Sequence, residues 1–261
     1  MATGELRDDT GASVRLPHPV RRVVSLVPSL TESVEATAPG LIVGATAWCS
    51  FPPDLAVPRI GGTKNPDVAA VLDLAPDLVL ANQEENRDID LQALRNAGAA
   101  VWITAPTTVP DALNSLGRML TACGLRQPDW LAQARERWAA PHTGPRRRAV
   151  IPIWRRPWMA LGRATFAGDV LRRIGVDNVL AGDPERYPRF EPARLPPCEL
   201  VILPDEPYPF NLHDGPEAFP GLPSRCVSGR HLTWYGPSLV QARAVLGGQL
   251  LPDPEAPGGQ L

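Results

Sequence analysis

The chain has 261 residues, room for one large domain or two modest ones. At 44% hydrophobic and 21% charged it has the composition of a globular protein with a real core. Its 26 basic residues are balanced by 28 acidic ones, so no overall field draws it to nucleic acid or to anionic lipid. The four cysteines, Cys49, Cys123, Cys198 and Cys226, lack CxxC or metal-ligand spacing and read as reduced thiols. The first 26 residues hold no apolar stretch behind a basic start and no cysteine placed to carry a lipid. The chain as written is therefore expected in the cytoplasm, and outside it if translation begins upstream. No run approaches the roughly 18 apolar residues of a membrane span.

In chain order, Arg21 to Leu26 reads as a buried parallel strand. Ser29, with Glu32 three residues on, has the spacing of a capping box and starts a helix that Pro39-Gly40 stops. Leu41 to Ala45 is the next strand. Asn65-Pro66-Asp67 opens a second helix, with Asn as cap and Pro at the first position, and Pro76 ends it. Asp77 to Ala81 is a strand, Leu91 to Ala97 a helix closed by Gly98, and Val101 to Ile103 a strand. This alternation implies a parallel sheet.

From Pro110 to about Ala140 the periodicity is helical throughout, which suggests a connector. The grammar then restarts. Arg146 to Ile153 is a strand behind basic residues, Thr165 to Ile174 a helix, and Cys198 to Leu203 a strand followed by adjacent acids, as Asp77 to Ala81 is followed by Glu84-Glu85. The expected architecture is α/β: two Rossmann-like lobes with central parallel sheets (20–108 and 144–251), a helical linker (109–143) and a disordered tail (252–261).

Ligands of open parallel sheets bind beyond the carboxyl ends of the strands, so the expected site is a cleft between the lobes. Eight of the 15 aromatic residues fall on loops at those ends: Trp48, Phe51, Trp154, Trp158, Tyr208, Phe210, Trp234 and Tyr235. Together they suit a broad, flat, partly apolar ligand; individually, each is as readily a packing residue. Arg155 and Arg156 place cations beside rings. Lys64 and Asn65 lie on one of the loops, as do Glu84 and Arg87. Glu84-Glu85 has no nucleophile or partner and reads as a cap or a ligand hydrogen bond rather than an acid/base pair. His213 and His231 could each touch a metal centre, but a lone histidine is more often a packing residue. No dinucleotide fingerprint, Walker loop, nucleophile elbow or HExxH is present, and no catalytic residue is assigned.

The segments RVVSLVPSLTE, VGATAWCSFPP, RIGGTKNPDVAAVLDLAPDLVLA, IWRRPWMALGRATFAGDVLRRIGVDNVLAG and LTWYGPS, in this order between Arg21 and Leu250, closely resemble the class III solute-binding proteins of ABC transporters. These are the helical-backbone metal receptors for cobalamin, ferric siderophores and haem. The resemblance implies two lobes joined by one rigid helix. WCSFPP is most similar to the cobalamin branch, which makes Trp48 the residue facing the corrin, with Trp154, Trp158 and Trp234 candidates on the other lobe. The family presents one docking glutamate per lobe to its permease; here those positions fall on Ala69 and, less directly, Ala193. Their loss would remove the charge pairs that steer docking to a permease partner.

The leading expectation is a monomeric receptor for cobalamin or another corrinoid, needing no resident cofactor and no protein ligand to the metal. It is expected to contact ligand through Trp48, Phe51, Lys64, Asn65, Glu84, Arg87, Trp154, Arg155, Arg156, Trp158, Tyr208, Trp234 and Tyr235. A ferric-siderophore or haem receptor of an ABC transporter is the alternative, the siderophore leaning on Arg87, Arg155, Arg156 and Tyr235. A cytoplasmic enzyme or chaperone of corrinoid metabolism is the third.

Overall fold

Strands buried on both faces are written as unbroken apolar runs, and two sets of them organise this chain. The computed structural model describes residues 6–250, which divide into two units. The first comprises the chain up to Glu136 together with Trp234–Val240; the second comprises Arg137–Thr233 and the residues from Gln241 onward. The tail expected to be disordered, 252–261, lies outside the described residues.

The first unit holds β1 (Leu6–Arg7), β2 (Ser13–Val14), β3 (Val23–Ser25), α1 (Pro28–Glu35), β4 (Ile42–Ala45), α2 (Val68–Asp73), β5 (Leu78–Asn82), α3 (Asp88–Asn96), β6 (Val101–Thr104) and α4 (Val109–Ala122). Helix α5 (Asp129–Ala139) contains the boundary. Its sheet is parallel in the order β4-β3-β5-β6. Every residue of β3, β5 and β6 is buried, each large apolar side chain stabilising the fold by roughly 1.5–3 kcal/mol.

The second unit holds β7 (Arg147–Val150), β8 (Pro152–Trp154), β9 (Met159–Ala160), α6 (Phe166–Arg173), β10 (Val176–Asn178), β11 (Leu200–Pro204), β12 (Ser224–Val227) and α7 (Gly229–Thr233). Most of α8 (Leu239–Leu250) also belongs to it. Its parallel sheet is ordered β10-β7-β11-β12, and β8 and β9 form an antiparallel hairpin. Numbered by appearance, both four-stranded sheets run 2-1-3-4. The faint sequence repeat is thus a repeat of topology.

Several expectations change. Ser29 is not a cap: α1 begins at Pro28, the cap position is Val27, and no side chain caps it. Proline at the first helical position needs no hydrogen-bond donor, so the helix starts one residue before the Ser/Glu pair. In α2 the cap is Asp67, whose side chain accepts from Ala70 N, and not Asn65. Thr165, expected as the first residue of α6, is its cap, accepting from Gly168 N.

The stretch 109–143 holds two helices, α4 and α5. Val109, Ala112, Leu113, Leu116, Met119 and Leu120 form a buried stripe at helical spacing, α4 packs on β6, and the division falls at Glu136/Arg137. The chain changes unit again at Thr233/Trp234 and at Val240/Gln241, so Trp234 and Tyr235, assigned by sequence to the second lobe, belong to the first unit.

The hairpin β1–β2 had no signal in the sequence. It covers the edge of β6: Asp9 N donates to Ile103 O, and the buried Asp8 carboxylate accepts from Ile103 N.

Candidate functional site

Beyond the carboxyl end of β4 the chain enters a long loop that carries Trp48 and Phe51. Backbone hydrogen bonds Ala45 N to Pro58 O, Ile60 N to Ala45 O and Ala47 N to Gly61 O close its two ends. The Arg59 guanidinium donates to the carbonyls of Thr46, Cys49 and Leu55 at 3.2, 3.0 and 3.0 Å. Cys49 is buried, its thiol accepting from Thr31 Oγ1 at 3.0 Å and touching Thr46 Oγ1 at 3.2 Å. Burial pushes that thiol's pKa up, which makes it an internal peg rather than a nucleophile.

Gly61 adopts φ +84°, where a side chain would meet Asn65 O at 2.7 Å, and a Cβ on Gly62 would lie 3.4 Å from Trp48 Nε1. On this pinned loop Trp48 stands 68% exposed. Phe51 is 37% exposed and sets its ring edge-to-face against Trp234, 5.8 Å between centroids. A rigid loop that holds a large indole in solvent displays an apolar face.

Beside it, the ends of β5 and β6 are joined by a polar junction. Asn82 Nδ2 donates to Thr104 O (3.1 Å) and Tyr235 OH (2.7 Å); its Oδ1 accepts from Glu84 N and Glu85 N at 2.8 and 3.1 Å. Tyr235 OH meets Thr104 Oγ1 at 2.8 Å, and that hydroxyl donates to Ala81 O. Asn86 accepts from Asn82 N and donates to Thr63 O, and Lys64 Nζ donates to Glu84 O. These bonds fix the loops 62–65 and 82–87 to each other. Burial, with Glu85 nearby, holds the Tyr235 phenol well above its ordinary range, so it stays protonated.

In the second unit the tip of the β8–β9 hairpin is Trp154-Arg155-Arg156-Pro157-Trp158. Trp154 is 42% exposed and packs edge-to-face on Tyr208, 5.7 Å between centroids. Tyr208 OH donates to Asp214 Oδ2 at 2.6 Å. Arg155 is held by two carboxylates, Asp214 and Glu217, and its guanidinium lies 5.2 Å from the Trp158 ring centroid. Trp158 stacks on the buried Phe210 at 4° and 5.8 Å and meets Phe219 edge-on.

Sequence candidates therefore separate. Trp48, Phe51 and Trp154 present apolar surface, with Lys64, Asn65 and Arg156 exposed and Glu84 and Tyr208 half-buried. Trp158 is half-buried against the core of the second unit and Trp234 and Tyr235 are buried in the first, because carboxyl-end loops must cover their own sheet before they can meet a ligand. Arg87 pairs through two nitrogens with Asp90, and Arg155 is already neutralised.

Sequence reasoning missed Asn82, Asn86, Thr104 and Arg59, which build the scaffold. An asparagine ending a buried strand was the one available signal. Its tyrosine partner lies 153 residues away. Among the described residues no three His, Cys, Asp or Glu side chains are grouped to hold a metal ion, and no helix is long and apolar enough to cross a membrane.

Two equally wound parallel sheets, each with loops at the carboxyl ends of its strands, give this chain the fold of the periplasmic binding proteins among solved structures. The curated relatives that it matches are named as binding proteins. In particular, it is 25% identical over 201 residues to the vitamin B12-binding protein of Pectobacterium atrosepticum, covering 70% of this chain and 71% of that one. Among solved structures it is similar to the periplasmic haem-binding protein RhuT of Roseiflexus sp. RS-1 (TM-score 0.70, 22% identity, 88% of this chain and 97% of that one). It is also similar to the vitamin B12-binding protein BtuF of Vibrio cholerae (TM-score 0.69, 16% identity, 89% and 97%). No family profile matches the chain.

Proposed function

We propose that this protein is a receptor for cobalamin or another corrinoid, held by stacking against Trp48. The carrying observation is the exposed indole on a loop fixed by Arg59 and the Cys49 peg. A corrin is a flat macrocycle with a largely apolar face, and a ring on a pinned loop offers it contact at a reduced entropic cost. Phe51 supplies further apolar surface on the same loop, while Lys64, Asn65 and Glu84 of the same unit offer polar groups for amide side arms. The vitamin B12-binding relatives support the choice of ligand. The ligand is cargo, and nothing in the reading calls for a resident cofactor.

The siderophore alternative needs cations for an anionic chelate. Arg155 faces two carboxylates and Arg87 one, and the protonated, buried Tyr235 is a poor partner for ferric iron. Of the four groups invoked for it, Arg156 is exposed with no carboxylate in contact among the described residues. Delivery to a permease is proposed to be weak or absent, because Ala69 and Ala193 are exposed but uncharged. The alternatives separate in one calorimetric panel of cobalamin, cobinamide, haemin and ferric siderophores. Micromolar or tighter binding of a corrinoid alone is expected. Tight binding of a siderophore or haemin with none of a corrinoid would overturn the reading.

A further inference from the structure

Beside the β6 edge of its sheet, the first unit has a recess of about 570 Å³. Strands β1 and β6, helices α4 and α5 and the turn between the two helices supply its walls. Every residue that lines it belongs to the first unit, and none of them serves the site described above.

Its charge comes from three arginines, Arg7 on β1, Arg118 on α4 and Arg135 on α5. Arg118 pairs with Asp9, whose carboxylate also accepts from Ala105 N. The other two meet neutral acceptors. Arg7 donates to Gly11 O at 3.0 Å, and Arg135 donates to Gln127 Oε1 at 2.6 Å and to Leu113 O at 3.2 Å. Among the described residues no carboxylate is in contact with either, so two guanidinium charges stand uncompensated.

Donors gather where a side chain has been left out. Gly117 is buried in the middle of α4, where alanine would serve the helix better. A Cβ there would stand 3.1 Å from Arg135 Nη2 and 3.2 Å from Gln127 Nε2. Gln127 spends its Oε1 on Arg135, and its Nε2 has no acceptor among the described residues. Trp102 lines the same recess at 1% exposure, and its Nε1–H has no acceptor among the described residues either. Guanidinium and indole groups can only donate, so this wall is rich in donors and short of acceptors. A buried donor without a partner is unfavourable, and an acceptor-only group would relieve it.

We propose that the recess binds a small oxyanion, the phosphate or carboxylate group of a metabolite, held by Arg7, Arg135 and Gln127 beside Gly117. Such a group accepts from the free N–H donors and neutralises the guanidinium charges at once. It is a second site, separate from the one that displays Trp48.

The test is a titration of the full chain with inorganic phosphate and, separately, with citrate, at constant ionic strength. It is followed through the indole N–H resonances in a nitrogen–proton correlation spectrum. The Trp102 resonance is expected to move along a saturating curve while that of Trp48 stays still. Tighter binding of phosphate would assign a phosphorylated ligand, and tighter binding of citrate a carboxylate. Affinity is expected to fall about tenfold in Arg135→Gln and in Gln127→Ala. It is expected to hold in Arg163→Gln, which removes an exposed arginine of the second unit. Circular dichroism checks that each variant keeps the fold. A Trp102 resonance that stays still with both anions, or moves without saturating, would overturn the proposal. Equal affinity in the wild type, Arg135→Gln and Gln127→Ala would overturn it too.

Discussion

The two units wind their sheets identically yet cover them differently. In the first, every crossover between sheet strands carries a helix, α1, α2 and α3, and α4 follows on β6. In the second, α6 is the one α-helix between sheet strands; the connections β10–β11 and β11–β12 are loops with a short 3₁₀ turn each. What helices do for the first sheet, a ring cluster does for the second: Phe210 and Phe219 are buried with Val150, Val201 and Leu203, and Trp158, Phe190 and Tyr208 pack around them. Aromatic residues at equivalent ends of equivalent sheets therefore have different jobs. Where helices have filled the core, Trp48 is surplus to packing and free to meet ligand; where rings are the core, Trp158 is not.

That contrast can be broken by substitution. The largest effect is expected from Phe210→Ala, which empties the ring cluster and costs about 4 kcal/mol of stability in urea unfolding. A loss under 1 kcal/mol would mean the cluster is not the second unit's core. Next, Asn82→Ala strips partners from Tyr235 and from the Glu84 and Glu85 amides at once; about 3 kcal/mol should be lost, with ligand affinity falling as the loops come apart. Unchanged stability would show that the junction is replaceable by water.

Arg87→Gln should change corrinoid affinity less than twofold, because the guanidinium is committed to Asp90. A tenfold loss would return Arg87 to the ligand. The smallest effect is chemical. At pH 8 a thiol reagent should modify the half-exposed Cys198 and Cys226 before Cys49 and Cys123, the last pushed up to about 12 by burial. Equal rates at all four would mean the native core opens on the reaction timescale.

Much of the fold was legible because unbroken apolar runs and helix punctuation are local. Leu78 to Ala81 and Leu200 to Leu203 stand where the pattern puts them. Boundaries erred where two local signals competed, as at Pro28 against the Ser29/Glu32 pair. The site was legible only by address. Loop position picked out Trp48 and Trp154, but nothing in a sequence distinguishes an indole displayed on a pinned loop from one stacked on Phe210. The return of Trp234–Val240 to the first unit, and with it the Asn82–Tyr235 bond, depends on contacts far apart in the chain.

The most direct test is a cobalamin titration of wild type, Trp48→Ala and Trp48→Phe, followed by calorimetry. The alanine variant should lose ten- to a hundredfold in affinity, about 1–3 kcal/mol, and phenylalanine should recover most of it. Stability should hold within about 0.5 kcal/mol, since an exposed side chain contributes little to the core. Cobalamin bound equally well by all three proteins would contradict the stacking role of Trp48, the central claim.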